Sequence, residues 1–177
     1  MPDQVEFVVY GRPAPQGSKQ AFPIYRGKAG AKVFTGKVAQ VEMSKYVKPW
    51  RAEVAKAARA LGLQGPILGP VSVDMVFTQI RPRSHYRTGA NAHLLRDTAP
   101  PVWCIAPDLS KLVRSTEDAL KGIVWTDDKA VVEYGRLAKM YSDADDPDVL
   151  DEPGAVIRVR PFVPVDAGML PGFAGAA

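Results

Sequence analysis

A single cysteine, Cys104, rules out an intramolecular disulfide and suits a reducing compartment. Its neighbours Trp103 and Ile105 predict a buried thiol rather than a nucleophile. Histidine is almost as scarce. His85 and His93 are eight residues apart, a separation that matches no common zinc site, so solvent exposure is expected for both. No apolar run approaches the roughly 20 residues that span a bilayer. The start Met1-Pro2-Asp3-Gln4 also lacks the basic flank and apolar stretch of a signal peptide. A soluble, cytoplasmic protein with no membrane partner is the expectation. No internal repeat is evident, which argues against solenoids and arrays.

What is present fits one domain of 177 residues with a real core: 46% of residues are hydrophobic and 24% charged. The formal net charge of +4 and sequence pI of about 9.2 favour a polyanionic partner.

Val5 to Tyr10 reads as a first strand, closed by Gly11-Arg12-Pro13-Ala14-Pro15. A long basic segment follows. Its Lys19, Arg26, Lys28, Lys32 and Lys37 are interleaved with Phe22, Tyr25 and Phe34, a pattern suited to tracking a phosphate backbone while aromatics pack or stack. A plain surface loop or hairpin is the competing reading. From Lys45 to Leu61 the spacing is helical, with Trp50 on the apolar side, Pro49 marking a kink or the first turn, and Gly62 as terminator. Val71 to Thr78 alternates like a half-buried strand.

The loop Arg81 to Pro101 is longer than compact domains keep without a function. Arg81, Arg83, Arg87 and Arg96 make it the first candidate for a DNA-contacting element. Val131 to Met140 and Ala155 to Val163 read as strands. Between them, Ser142 to Asp148 lacks the central glycine and terminal glutamate of a calcium loop and reads as a solvated hairpin connection. Residues 1–165 would form the domain and 166–177 a loosely ordered tail. Strand, helix, strand, helix, strand, strand is the order, which implies an α+β domain with two main helices on a mixed or mostly antiparallel sheet.

The chemistry concentrates between Pro107 and Val131. Pro107 cannot continue a helix backwards, Asp108 is a favoured N-cap, and Leu109, Leu112, Val113, Thr116 and Leu120 form one stripe. Gly122 stands where a left-handed cap would end the helix near Lys121. Asp127 and Asp128 follow at the mouth of the next strand. Carboxylates thus flank one short helix that carries two cations, Lys111 and Arg114, an arrangement suited to metal-assisted attack on a phosphodiester. An Asp that only caps and an Asp pair that only turns are the plainer alternatives. Arg114 lies roughly one and two-thirds turns from Asp108, and its guanidinium matches phosphate oxygens in a fork. Asp118 is four residues after Arg114, which favours an intrahelical ion pair.

Pro107-Asp108-Leu109, then Leu112 and Arg114, then Asp118-Ala119-Leu120, then Trp125 with Asp127-Asp128 and Val131 together resemble the core signature of the RusA family of Holliday-junction resolvases, crossover junction endodeoxyribonucleases. Gly11 to Lys19 and Arg83 to Gly89 resemble loops of its phage and actinobacterial members. The resemblance implies a RusA-like α+β fold and a phage- or prophage-encoded homodimer that cuts four-way DNA junctions with Mg²⁺, or with Mn²⁺. It places the family's catalytic and metal-holding acids on Asp108 and Asp128, with Asp127 adjacent, and its essential cation on Arg114. Lys111, Arg12, Lys19, Arg81, Arg83 and Arg87 are the accompanying candidates for DNA contact. One position departs: a second acid normally stands two residues after the first, and here it is Ser110. Asp127, Glu117 or Asp118 would have to compensate. Otherwise the chain binds junctions with weak or lost cleavage.

Overall fold

The computed structural model describes residues 4–17, 19–27, 32–42 and 45–164. In chain order the elements are β1 (Val5–Tyr10), β2 (Lys19–Arg26), β3 (Val33–Glu42), α1 (Val47–Ala60), β4 (Val71–Gln79), α2 (Leu109–Leu120), β5 (Val131–Tyr141) and β6 (Gly154–Pro161). The expected tail 166–177 and Lys28 lie outside the described residues, as does the side chain of Lys19.

One sheet runs in the order β1-β6-β4-β5. β6 is antiparallel to both β1 and β4, whereas β4 and β5 are parallel. A parallel pair needs a long crossover, and here α2 lies within it. This is the expected α+β domain with two helices, and its sheet is mixed.

The helices cover one face. Val71, Val73, Met75 and Phe77 of β4 point into a core with Val5, Phe7 and Val9 of β1, Trp50, Val54 and Ala58 of α1, and Leu112, Val113 and Leu120 of α2. Pro49 falls in the first turn of α1, where its missing N–H is not needed. Trp50 is the core residue its spacing implies, at 1% exposure. Its Nε1 donates to Thr116 Oγ1 at 3.1 Å, and that hydroxyl donates to Leu112 O at 2.9 Å, so the buried indole ties α1 to α2 with no orphaned donor.

The opposite face departs from expectation. β4 alternates apolar and polar residues, yet Ser72, Asp74 and Thr78 are buried too. Charged side chains cover them. Asp74 accepts from Arg160 at 2.8 Å and from the Arg136 backbone N–H at 2.7 Å. A Cβ at Gly135 would meet Asp74 Oδ1 at 2.2 Å, so that β5 position has no room for a side chain. The acidic connection is not a solvated loop. Asp146 pairs with Arg136, Asp148 with Arg136 and Arg158 at 2.8 and 2.5 Å, and Asp143 with Arg81 at 2.6 Å. Its carboxylates clamp the sheet, because the strand arginines would otherwise lie unpaired over a buried surface.

The basic segment is the antiparallel hairpin β2–β3. Phe22, Ile24, Tyr25, Val33, Phe34 and Val38 are all 41–70% exposed on it, so it stands as an arm rather than packing on the core. Cys104 is exposed, against the reading from its neighbours. Around a tight turn in which Cys104 N–H reaches Val102 O, adjacent side chains leave in different directions: Trp103 is 4% exposed and Ile105 50%. His93 is exposed, and His85 is partly buried, edge-on to Tyr141 with ring centroids 5.6 Å apart.

Candidate active site

Helix α2 organises the site from both ends. At its head Asp108 occupies the N-cap position with extended backbone, and its carbonyl accepts from Lys111 and Leu112 N–H at 3.2 Å. The carboxylate does not cap. It meets Lys111 Nζ at 2.8 Å, and that pairing, with the Lys139 charge beyond it, holds Asp108 below the usual carboxylate range. Lys139 of β5 donates to Ile105 O at 2.7 Å and Pro107 O at 2.6 Å, with its ammonium 5.0 Å from the Trp103 ring centre. Burial pulls Lys139 down while Asp108 opposes the shift. A lysine from the crossover's second strand therefore anchors the turn that launches the helix.

At the other end Gly122 takes φ +74°, ending α2 where expected. Lys121 turns onto Asp127 at 3.0 Å and Asp128 at 3.5 Å. Asp127 also accepts from Lys129 N–H at 3.3 Å, capping the 3-10 turn Asp128–Ala130. The Lys121 contact in particular lowers the Asp127 pKa.

Between these ends lies a cleft of about 360 Å³, lined by Ser110, Arg114, Glu117 and Asp118 of α2 with Asp128 and Tyr134. Ser110, Arg114 and Glu117 share a helix face by their four- and three-residue steps. Glu117 accepts from Tyr134 Oη at 2.5 Å. Burial pushes Glu117 up, with Asp128 adding to the shift. Burial and the Glu117 contact push the Tyr134 hydroxyl up as well. Asp118 pairs with Arg51 of α1, not with Arg114, because the packed helices bring that guanidinium closer.

The cleft thus gathers Arg114 and Asp128 from the expected set and adds Glu117. Asp108 stands at the head of the same helix and Asp127 faces Lys121. Among the described residues no three of His, Cys, Asp and Glu converge as a metal cage, so Asp108, Asp127 and Asp128 are not collected into one ligand set. The oxygen donors at hand, carboxylates and a hydroxyl, still suit a hard cation that keeps much of its water.

The DNA-contact candidates divide. Lys111 is exposed beside Asp108, and Arg12 lies exposed over the Tyr46 ring at 4.4 Å. Arg83 is exposed, and Arg87 reaches Leu95 O and Asp97 within its own loop. Arg81 is corrected: at 6% exposure it stacks on Tyr141 and donates to Asp143 and Pro100 O, so it holds the loop in place instead of facing a phosphate. Sequence reasoning missed Lys121, Tyr134 and Lys139. Only Lys121 had a local signal, a cation in the last turn just before an Asp pair.

Helix α2 thus carries acids at its two ends and a cation in the cleft between them. The model for the endodeoxyribonuclease RusA family matches residues 23–160. The chain is also 31% identical over 146 residues to the uncharacterized protein YqaN of Bacillus subtilis (strain 168), covering 80% of this chain and 90% of that protein. The chain belongs to the RusA family of endodeoxyribonucleases.

Proposed function

We propose that this protein is a Mg²⁺-dependent homodimeric nuclease that resolves Holliday junctions and related branched DNA in the cytoplasm. The family match carries the reaction class. The observation that carries the site is the cleft in which Arg114, Asp128 and Glu117 meet below the Asp108 head of α2.

Asp108 and Asp128 would hold the cation, with Mn²⁺ as an alternative to Mg²⁺. When bound, the cation supplies an acidified water and neutralises charge on the phosphate. Arg114 takes the non-bridging oxygens as negative charge grows on them. Glu117, held in orientation by Tyr134, offers a carboxylate in the cleft where Ser110 offers none. Lys111 and Lys121 neutralise the acids until substrate and cation arrive, and Lys139 fixes the backbone that presents Asp108. Paired cuts across a two-fold junction call for two equivalent sites, which a symmetric dimer provides.

The absence of a three-acid cluster among the described residues favours a second reading, a junction-binding relative with weak cleavage. Cleavage of a labelled four-way junction and a linear duplex, with and without Mg²⁺, separates the two. Selective Mg²⁺-dependent cutting that disappears in Asp108→Asn supports the nuclease. Binding without cutting, with cleavage gained in Ser110→Asp, supports the second reading. No junction preference in any variant overturns both.

A further inference from the structure

Among the described strands, β2 and β3 pair only with each other. Their register slips between Pro23 and Tyr25, and opposite that slip Gly36 takes φ +74°. An irregularity of this kind bends and twists a ribbon. Thr35 Oγ1 donates to Ile24 O at 2.7 Å and ties the two strands at the bend. An open groove of about 770 Å³ lies there, lined by Ile24, Tyr25, Val33 and Phe34 with Arg26 and Lys37. Tyr25 and Phe34 are cross-strand partners, their rings tilted at 58°, and they are 54% and 50% exposed. Each ring therefore keeps open area for a further flat group. Arg26 and Lys37 are exposed and enter no ion pair among the described residues, and no acidic residue among those described lines the groove.

An occupant of this groove has to be flat and apolar in one part and anionic in another. Bases on a phosphate backbone are both, and aromatic rings stack on any base because every base has a π-face. In a duplex those faces are already covered by neighbouring base pairs. We infer that the groove binds single-stranded DNA, with Tyr25 and Phe34 stacking on unpaired bases and Arg26 and Lys37 holding the phosphates between them. Membership of a DNA-cutting family makes DNA the strand. Two other occupants fit the arm less well. A membrane surface wants apolar and cationic groups on opposite faces, whereas the adjacent pairs Tyr25–Phe34 and Arg26–Val33 put apolar residues on both. A second copy of the chain offers no surplus of acid, because the residues outside 19–42 are balanced in formal charge. The site goes beyond the junction reading. A fully paired four-way junction presents no bare strand, whereas a gap, a flap or an unwound branch does, and the arm holds such a strand by chemistry separate from that of the α2 cleft.

Fluorescence anisotropy with the full chain tests this, using a labelled thymidine oligonucleotide of about 15 residues, an abasic strand of the same length and a duplex of the same length. The thymidine strand binds the native protein at least about tenfold more tightly than the abasic strand. Tyr25→Leu with Phe34→Leu keeps apolar bulk and removes both π-faces. That pair weakens the thymidine strand about tenfold or more and moves the abasic strand and the duplex by less than about twofold. Tyr25→Phe with Phe34→Tyr, which keeps two aromatic faces, binds as the native chain does. Arg26→Gln with Lys37→Gln weakens all three probes. Equal native affinity for thymidine and abasic strands overturns the site, as does a loss in the leucine pair that falls alike on all three probes. Dissociation of a dimer by the leucine pair, read by sedimentation, gives the groove to a second copy and overturns it too. So does capture of the native chain by phosphatidylserine vesicles that the leucine pair abolishes. The strand site and the nuclease reading fail separately: absence of junction cleavage leaves thymidine-strand binding standing, and absence of thymidine-strand binding leaves junction cleavage standing.

Discussion

The sheet-and-helix body and the β2–β3 arm use charge in opposite ways. Residues 19–42 hold five of the 23 cations and one of the 19 acids, so the whole formal charge of +4 belongs to the arm and the rest of the chain is balanced. In the body, Arg81, Arg136, Arg158 and Arg160 are bonded to Asp143, Asp146, Asp148 and Asp74 across the sheet and its loops. The arm's described cations, Arg26, Lys32 and Lys37, are exposed, beside aromatics left in solvent. Charge that is already paired stabilises the fold and has little left for a partner. Charge left free costs the fold little and sets long-range attraction to a polyanion. Counting cations does not separate these roles; counting their partners does.

Substitutions in the two regions should therefore act on different observables. Trp50→Ala removes a fully buried indole and the bond to Thr116, and thermal or urea unfolding should show a loss of about 3–5 kcal/mol. Asp128→Asn should leave the melting curve nearly unchanged while slowing junction cleavage about 10²–10³-fold, the scale of losing a principal electrostatic group in a site. Asp148→Asn should cost about 2–3 kcal/mol, less than the roughly 3–5 of a fully buried broken pair because Arg136 is partly exposed.

The same carboxylate gives the pH dependence its sign. Pairing, chiefly with Arg158, lowers the folded-state pKa of Asp148 below the ordinary 3.8. Its contribution is present above 3.8 and is lost as pH falls through the depressed value, so Asp148→Asn should flatten the acid limb of a stability profile. Removing Arg26, Lys32 and Lys37 together should leave stability within about 0.5 kcal/mol. The slope of log affinity for junction DNA against log salt should become shallower by up to about 3. Phe34→Ala should change unfolding least, by under about 0.5 kcal/mol, since the ring is half exposed and its aromatic neighbour is the tilted Tyr25 ring 5.9 Å away. A large stability loss from an arm substitution would break the comparison.

Local backbone chemistry made the ends of α2 legible, because Pro107, Asp108 and Gly122 act through their own dihedral preferences. The arm was harder to read as strands. Pro23 and Gly36 interrupt its runs, and neither face is cleanly apolar, since the hairpin buries neither. Asp108 and its carboxylate's partner Lys111 lie close together in the sequence, but the lysine that holds the turn before them could not be located there. Lys139, more than thirty residues on, reaches the site only through parallel pairing of β5 with β4. The fate of Arg81 depended on Asp143, 62 residues away, a pairing no periodicity encodes.

The central position of β6 has a consequence for how the protein is made. Both β1 and β4 pair with β6, which the ribosome delivers after every other element described. Until residues 154–161 emerge, β1 has no neighbour in its sheet and β4 has an open edge. A nascent chain can close the β4–α2–β5 crossover early, yet its terminal strand must wait for a contact about 150 residues away, the kind of distant pairing that slows folding. Completion of the fold is therefore tied to synthesis of nearly the whole described chain, and a ribosome stalled before β6 would hold an unfinished sheet with exposed edges open to misassembly.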